Sequence, residues 1–267
     1  MFAKKLKCTV TRREQLSPTV FRVFFKTNRR LKFRAGQFVS VQIDNEWRCY
    51  SFANSPEDAR KNGYELCIKE VPGGKGSTFM ARLQPGDRFV ARAPFGHYSY
   101  RHSDAQAAVF VATGTGIAPI RSILQSQEFR KNRPTRVYVI TGFRSEEEIL
   151  YRGELEALGA QVFCALSQPN RLWIGMRGRV TDVLRNLPHE AGHYGAAFYV
   201  CGAGEVVQSV ASLLKNVLRI PQNNIVAEAF SRPKGEFCEK PKKANCKITG
   251  HRFGDCTNAT FTESKRV

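Results

Sequence analysis

Arg48-Cys49-Tyr50-Ser51-Phe52-Ala53-Asn54 brings a guanidinium, an aromatic ring and a hydroxyl together in a few residues. A guanidinium meets phosphate oxygens in two-point geometry, an aromatic packs on a ring or ribose, and a hydroxyl hydrogen-bonds a ring nitrogen. The set suits a flavin nucleotide. Gly73-Gly74-Lys75-Gly76-Ser77-Thr78 follows as a flexible loop before a helix start, where free amides attract phosphate, although a glycine-rich loop alone is also an ordinary turn. Val109-Phe110-Val111-Ala112-Thr113-Gly114-Thr115-Gly116-Ile117-Ala118-Pro119 is a strand running into glycines and then a helix, and Tyr199-Val200-Cys201-Gly202-Ala203-Gly204 repeats the pattern. Glycine there permits a tight turn and close approach of the backbone to a pyrophosphate. The first turn lacks the third glycine of the common dinucleotide fingerprint, so each motif by itself also reads as a βα turn without a ligand, and Cys201 as a buried strand end. As a pair they share the carboxyl edge of a parallel sheet, which puts Cys201 at the rim of a cleft.

The elements that must position these residues fall into two rhythms. From residue 7 to about 95, short β-rich runs (7–12, 20–27, 37–43, 64–71 and 87–93) are separated by turn residues, and only 77–83 reads as helical. Alternation such as Phe38-Val39-Ser40-Val41-Gln42-Ile43 predicts half-buried antiparallel strands closing into a small barrel or sandwich. After Arg101 to Gln106, strands at 107–112, 135–141, 161–165, 196–201 and 225–230 alternate with helices at 117–128, 146–158, 179–187 and 205–218. That alternation predicts a parallel α/β sheet covered on both faces. The expected division is residues 1–102, 103–231 and a Lys-, Pro- and Gly-rich tail at 232–267. Two domains also suit 267 residues, since domains cluster near roughly 100 to 150.

Composition narrows the class. The chain is 42% hydrophobic and 24% charged, the balance of a globular protein, and its mean hydropathy of −0.36 argues against a membrane protein. The basic start Met1-Phe2-Ala3-Lys4-Lys5 is followed by no apolar signal core, so a cytoplasmic location is expected. Of eight cysteines, Cys8, Cys49, Cys67, Cys164 and Cys201 lie in apolar or strand-like runs and read as buried hydrophobes of a reducing compartment. A net charge of +19 favours anionic partners. Without an aromatic RNA-binding box or zinc-finger spacing, nucleic acid is the poorer choice against an acidic protein or a phosphorylated small molecule.

Arg48-x-Tyr50-Ser51, the Gly73 to Thr78 loop, Pro94-x-Gly96, Gly114-Thr115-Gly116-Ile117-Ala118-Pro119, Cys201-Gly202 and Glu228-x-Phe230 occur in the order of one family. Over about residues 5 to 231 the chain resembles the ferredoxin–NADP⁺ reductase superfamily. The resemblance implies an antiparallel six-stranded FAD-binding β-barrel, then a parallel-sheet α/β domain for NADPH or NADH, with hydride passing from nicotinamide to flavin between them. In that reading Arg48, Cys49, Tyr50 and Ser51 clasp the flavin, and Cys67-Ile68-Lys69 adds strand contacts. Gly74, Gly76, Ser77 and Thr78 hold the pyrophosphate, while Thr115, Gly116 and Gly202 accept the nicotinamide nucleotide. Ser51, Cys201 and Glu228 act at the reacting centre, and Phe230 covers the flavin face.

Arg144, Arg171 and Arg179 stand where a 2′-phosphate would be held, which favours NADPH, although Gln168 occupies a position where several relatives carry arginine. These arginines also fit a generally basic surface. In the tail, Cys238, Cys246, His251 and Cys256 have spacings of seven, four and four intervening residues, which match no standard finger. A small zinc site and a tail of free thiols both remain open. The tail is too short for an appended iron–sulfur domain, so electrons are expected to pass to a separate acidic carrier, a ferredoxin or flavodoxin. Two other readings stay in view: an NADH-dependent reductase component of an oxygenase, and a flavin-binding redox sensor or assembly protein.

Overall fold

The computed structural model describes residues 3–186 and 195–230. The tail positions Cys238, Cys246, His251 and Cys256 lie outside them. Six antiparallel strands come first: β1 (Lys4–Ser17), β2 (Val20–Thr27), β3 (Phe38–Ile43), β4 (Glu46–Ser51), β5 (Tyr64–Lys69) and β6 (Arg88–Phe95), in the order β4-β3-β6-β1-β2-β5. The edge strands meet through a bridge between Phe52 and Leu66, which draws the sheet into a barrel. Leu6, Cys8 and Val10 alternate inward along β1, and with Phe21, Val23 and Phe25 of β2 they fill the interior. Burial of this aromatic-rich set is what holds the barrel together.

Two elements depart from expectation. β4 is a strand in its own right, so the Arg48 motif lies on a strand and not in the segment after one. A second helix, α1 (Pro56–Asn62), precedes α2 (Lys75–Arg82). The Ser55 hydroxyl accepts from the Asp58 amide at 3.1 Å and Pro56 opens the first turn, a start signal that outweighs the absence of an apolar stripe.

The second sheet is parallel: β7 (Ala107–Thr113), β8 (Arg136–Phe143), β9 (Gln161–Leu166), β10 (Met176–Arg177), β11 (Ala196–Gly202) and β12 (Ile225–Ala229), ordered β10-β9-β8-β7-β11-β12. Helices α3 (Ile117–Gln125), α4 (Gln127–Lys131) and α5 (Arg152–Ala157) cover one face, packing on Phe110, Val139 and Tyr199. Helices α6 (Val180–Arg185) and α7 (Gly204–Ser212) cover the other, packing on Val109, Val111 and Val200. Two expected helices are shorter. Ser126 divides α3 from α4, with its hydroxyl accepting from the Phe129 amide at 3.1 Å, and Tyr151, at φ 57°, separates a 3₁₀ turn at Glu146–Glu148 from α5. Barrel residues Val20, Ala35, Ala53, Cys67 and Tyr98 share one apolar cluster with the α3 face, so the two sheets are packed together. No helix among the described residues is long and apolar enough to cross a membrane.

Candidate active site

On β4 the pleat sends Arg48 and Tyr50 to one side. A Cβ added at Gly76 would lie 2.8 Å from Arg48 Cγ and 3.0 Å from the Tyr50 hydroxyl, so only glycine lets the start of α2 come this close to β4. The first-turn amides of α2 lack intrahelical acceptors, and the aliphatic stem of Arg48 lies against Gly76 in that turn. That guanidinium bonds the Glu46 carboxylate and donates to Trp47 O at 3.2 Å. Burial pushes the Tyr50 phenol up to about 12, with Arg48 working in the opposite direction, so Tyr50 presents a neutral O–H. Ser51 is buried opposite Phe38, and Cys49 is half-buried with its thiol 3.9 Å from the Ser40 hydroxyl.

The flanking candidates divide by what they touch. The Ser77 hydroxyl accepts from the Val71 amide at 3.0 Å and donates to Gly74 O at 3.1 Å, so it closes the loop from within. Thr78 donates its amide to Gly74 O at 3.0 Å. On β5, Ile68 points into the barrel core, whereas Cys67 lies in the interdomain cluster beside Tyr151 and Lys69 pairs with Glu148 at 3.5 Å.

The sheet order reverses between β7 and β11, the place where open α/β sheets bind nucleotides. Here the two glycine turns touch. A Cβ at Gly116 would sit 2.3 Å from Cys201 O, and one at Gly202 (φ 153°) would sit 2.5 Å from Thr113 Oγ1. Cys201 is in register with Ala112 on one side and Glu228 on the other. It is 1% exposed, so it lies beneath the edge and not at an open rim, as the turn pattern alone had placed it: Tyr98 of the barrel packs into the same cluster. Burial first, then the charge of Glu228, raises its thiol well above the usual range, which keeps it protonated. Glu228 is 4% exposed and burial pushes its carboxyl up to about 7. Its Oε2 is 3.3 Å from where a Gly96 Cβ would stand, so the Pro94-x-Gly96 segment of the barrel lies against β12.

Tyr98 is a site residue that motif reading missed. Its hydroxyl is fully buried and has no hydrogen-bond partner among the described residues. The signal was its place two residues after Gly96 in the aromatic alternation Gly96-His97-Tyr98-Ser99-Tyr100. Phe230 is 46% exposed just past β12, with its amide donating to Gly202 O at 2.9 Å. Arg144, Arg171 and Arg179 are all exposed, after β8, after β9 and at the start of α6, and none is ion-paired among the described residues. No group of three or more metal-ligating side chains occurs among the described residues.

A six-stranded antiparallel barrel packed against a parallel sheet with a glycine-lined switch point defines the class of two-domain flavin and nicotinamide oxidoreductases. Residues 7–100 match the oxidoreductase FAD-binding domain and residues 110–212 the oxidoreductase NAD-binding domain. Ferredoxin–NADP reductase B of Sorangium cellulosum (strain So ce56) is 30% identical over 230 residues, covering 80% of this chain and 93% of that protein. The reductase component 1 of terephthalate 1,2-dioxygenase from Comamonas sp is 29% identical over 223 residues, covering 77% of this chain but 62% of that protein. A ferredoxin NADP⁺ reductase from Neisseria gonorrhoeae, solved with bound FAD and NADP, shares the fold at TM-score 0.72 and 23% identity, covering 86% of this chain and 100% of that one. The chain belongs to the ferredoxin–NADP reductase-like family and is an NAD(P)H–flavin oxidoreductase that works in electron transfer.

Proposed function

We propose that this enzyme takes its hydride from NADPH in preference to NADH and delivers electrons to an acidic carrier protein, a ferredoxin or flavodoxin. Bound FAD supplies the ability to accept two electrons as hydride and release them singly. The chain supplies the rest. Arg48, Tyr50 and the α2 amides bind the phosphates and orient the ring system, and Ser51 offers a buried hydroxyl at the end of the same strand. Thr115, Gly116 and Gly202 form the floor for the nicotinamide, with Cys201 as a neutral apolar support. Glu228 holds a proton near neutral pH.

The observation that carries the donor preference is the trio Arg144, Arg171 and Arg179, three exposed cations at the carboxyl edge of the nucleotide sheet with no ion pair among the described residues, where a 2′-phosphate gains charge-assisted hydrogen bonds. The similarity to the Sorangium reductase, which spans 93% of that protein and 80% of this chain, supports the same reading. Anaerobic flavin bleaching in a stopped-flow instrument tests it. NADPH should reduce the flavin at a half-saturating concentration about 10-fold or more below that of NADH, one well-made charged contact being equivalent to about 1.4 kcal/mol or more. Equal or reversed preference favours the second reading, an NADH-dependent reductase component of an oxygenase, which Gln168 and the similarity to the Comamonas reductase support.

A further inference from the structure

Glu65 of β5 is 2% exposed and Arg121 of α3 is 6% exposed, and they meet between the two sheets. Arg121 Nη1 donates to Glu65 Oε2 at 3.0 Å and to Ala53 O at 2.8 Å, while its Nε donates to Glu154 Oε2 at 2.8 Å. One residue on, the Ser122 hydroxyl donates to Asn54 O at 2.7 Å. The Tyr151 hydroxyl donates to the other Glu65 oxygen at 3.3 Å, and Arg22 approaches that oxygen at 3.4 Å. The Tyr151 ring also lies 4.6 Å from the Arg121 guanidinium. Tyr151 keeps a left-handed backbone, φ 57°, which a bulky residue holds only where surrounding contacts over-determine it.

A buried charge is tolerated when it is matched and hydrogen-bonded. Burial opposes the charge on Arg121, but Glu65, Tyr151 and Glu154 together more than offset it, and the guanidinium pKa is raised. What distinguishes this network is where its acceptors lie. Ala53 and Asn54 follow the Arg48 to Ser51 motif after the single residue Phe52, and Arg121 and Ser122 lie in the helix that the Gly114–Gly116 turn opens. About 7.5 Å of helix rise separates Gly116 from Arg121, with no loop between them.

We infer that Arg121, seconded by Ser122, is a positioning residue for hydride transfer: it locks the nucleotide turn to the flavin strand, fixing the separation at which nicotinamide and flavin meet. This rests on the hydride-transfer reading above. Reacting atoms must come within about 3–3.5 Å, and a displacement of about 1 Å lowers a rate on the order of 100-fold. A merely stabilising ion pair leaves the rate per folded, flavin-loaded molecule unchanged.

The test uses the full chain with Arg121→Met, Arg121→Lys and Ser122→Ala, and Arg185→Gln on α6 as a control that removes an exposed pair with Asp182. Calorimetry of the flavin-free protein comes first. The wild type and the control should unfold in one transition and Arg121→Met in two, as the domains uncouple. In the flavin-loaded protein, the reduction rate at saturating NADPH or NADH should fall about 30-fold or more in Arg121→Met. The half-saturating concentration should stay within about threefold, and the long-wavelength absorbance of stacked nicotinamide and flavin should weaken. Arg121→Lys should recover part of the rate, and Ser122→Ala should lose about 3- to 10-fold. A wild-type rate in Arg121→Met, a loss that vanishes once divided by flavin content, or an unsplit transition overturns the inference. If Arg121→Met fails to fold, Arg121→Lys and Ser122→Ala are judged by the same criteria. A wild type that neither nicotinamide reduces overturns the hydride-transfer reading instead, and calorimetry then still decides the coupling.

Discussion

Glu228 is a carboxyl whose surroundings move its titration towards neutral pH. Its folded-state pKa of about 7 lies above the ordinary 4.5 because burial disfavours the carboxylate. Below pH 4.5 the group is protonated in both folded and unfolded chains and leaves stability untouched. As pH rises from 4.5 to about 7 the unfolded chain releases the proton freely while the folded chain holds it, so stability is lost across that window and the loss is complete above it. Glu228→Gln should therefore raise the melting temperature of the flavin-free protein at pH 8 by several degrees, an upper bound of about 3 kcal/mol, and the gain should fade towards pH 4.5. A gain independent of pH would show that the charge is not its source. Cys201, its neighbour in register, is driven the other way from a reactive thiolate, so motif reading found the residue while the structure decided that it is a packed, neutral thiol.

Among elements, the junction of the turn after β7 with the end of β11 leaves no room for a side chain. The Cβ of Gly116→Ala would meet the Cys201 carbonyl and the Gly202 Cα, both main chain, so relief requires the two strands' ends to part. We expect a loss of about 2–3 kcal/mol, the range of an overpacked core site, read as a lower urea midpoint at unchanged slope. Strands β2, β3 and β7 were legible because their apolar alternation or continuity needs no distant partner. β4 was not: Arg48, Cys49 and Tyr50 are all half-buried, so no alternation marks it, and only pairing with β3 makes it a strand. The breaks at Ser126 and Tyr151 were likewise hidden, because α4 turns away from α3 on a hydroxyl cap and Tyr151 is held by Glu65 from a strand 86 residues away in sequence.

At the scale of the whole molecule, charge governs encounter. With 42 Lys and Arg against 23 Asp and Glu, the surface field favours anions and weakens as salt shortens its range to about 10 Å at 0.1 M, so the proposed acidic carrier would meet the enzyme in a salt-dependent way. Turnover limited by encounter with ferredoxin or flavodoxin should drop steeply as ionic strength rises, while flavin reduction by the nicotinamide changes much less. An encounter-limited rate insensitive to salt would exclude an electrostatically steered acidic partner.

The amino-acid sequence alone determined the barrel-then-α/β order, the glycine turns and the cluster Arg48, Tyr50 and Ser51, because turns, periodicity and residue chemistry are local properties. Tertiary structure decided how those pieces face one another. Gly76 reads as loop punctuation until Arg48 and Tyr50 are seen against it, and Arg121 reads as one more cation of a basic chain. Its buried partners Glu65 and Ala53 lie more than fifty residues away, and only folding brings a guanidinium to a carboxylate and a carbonyl at that separation.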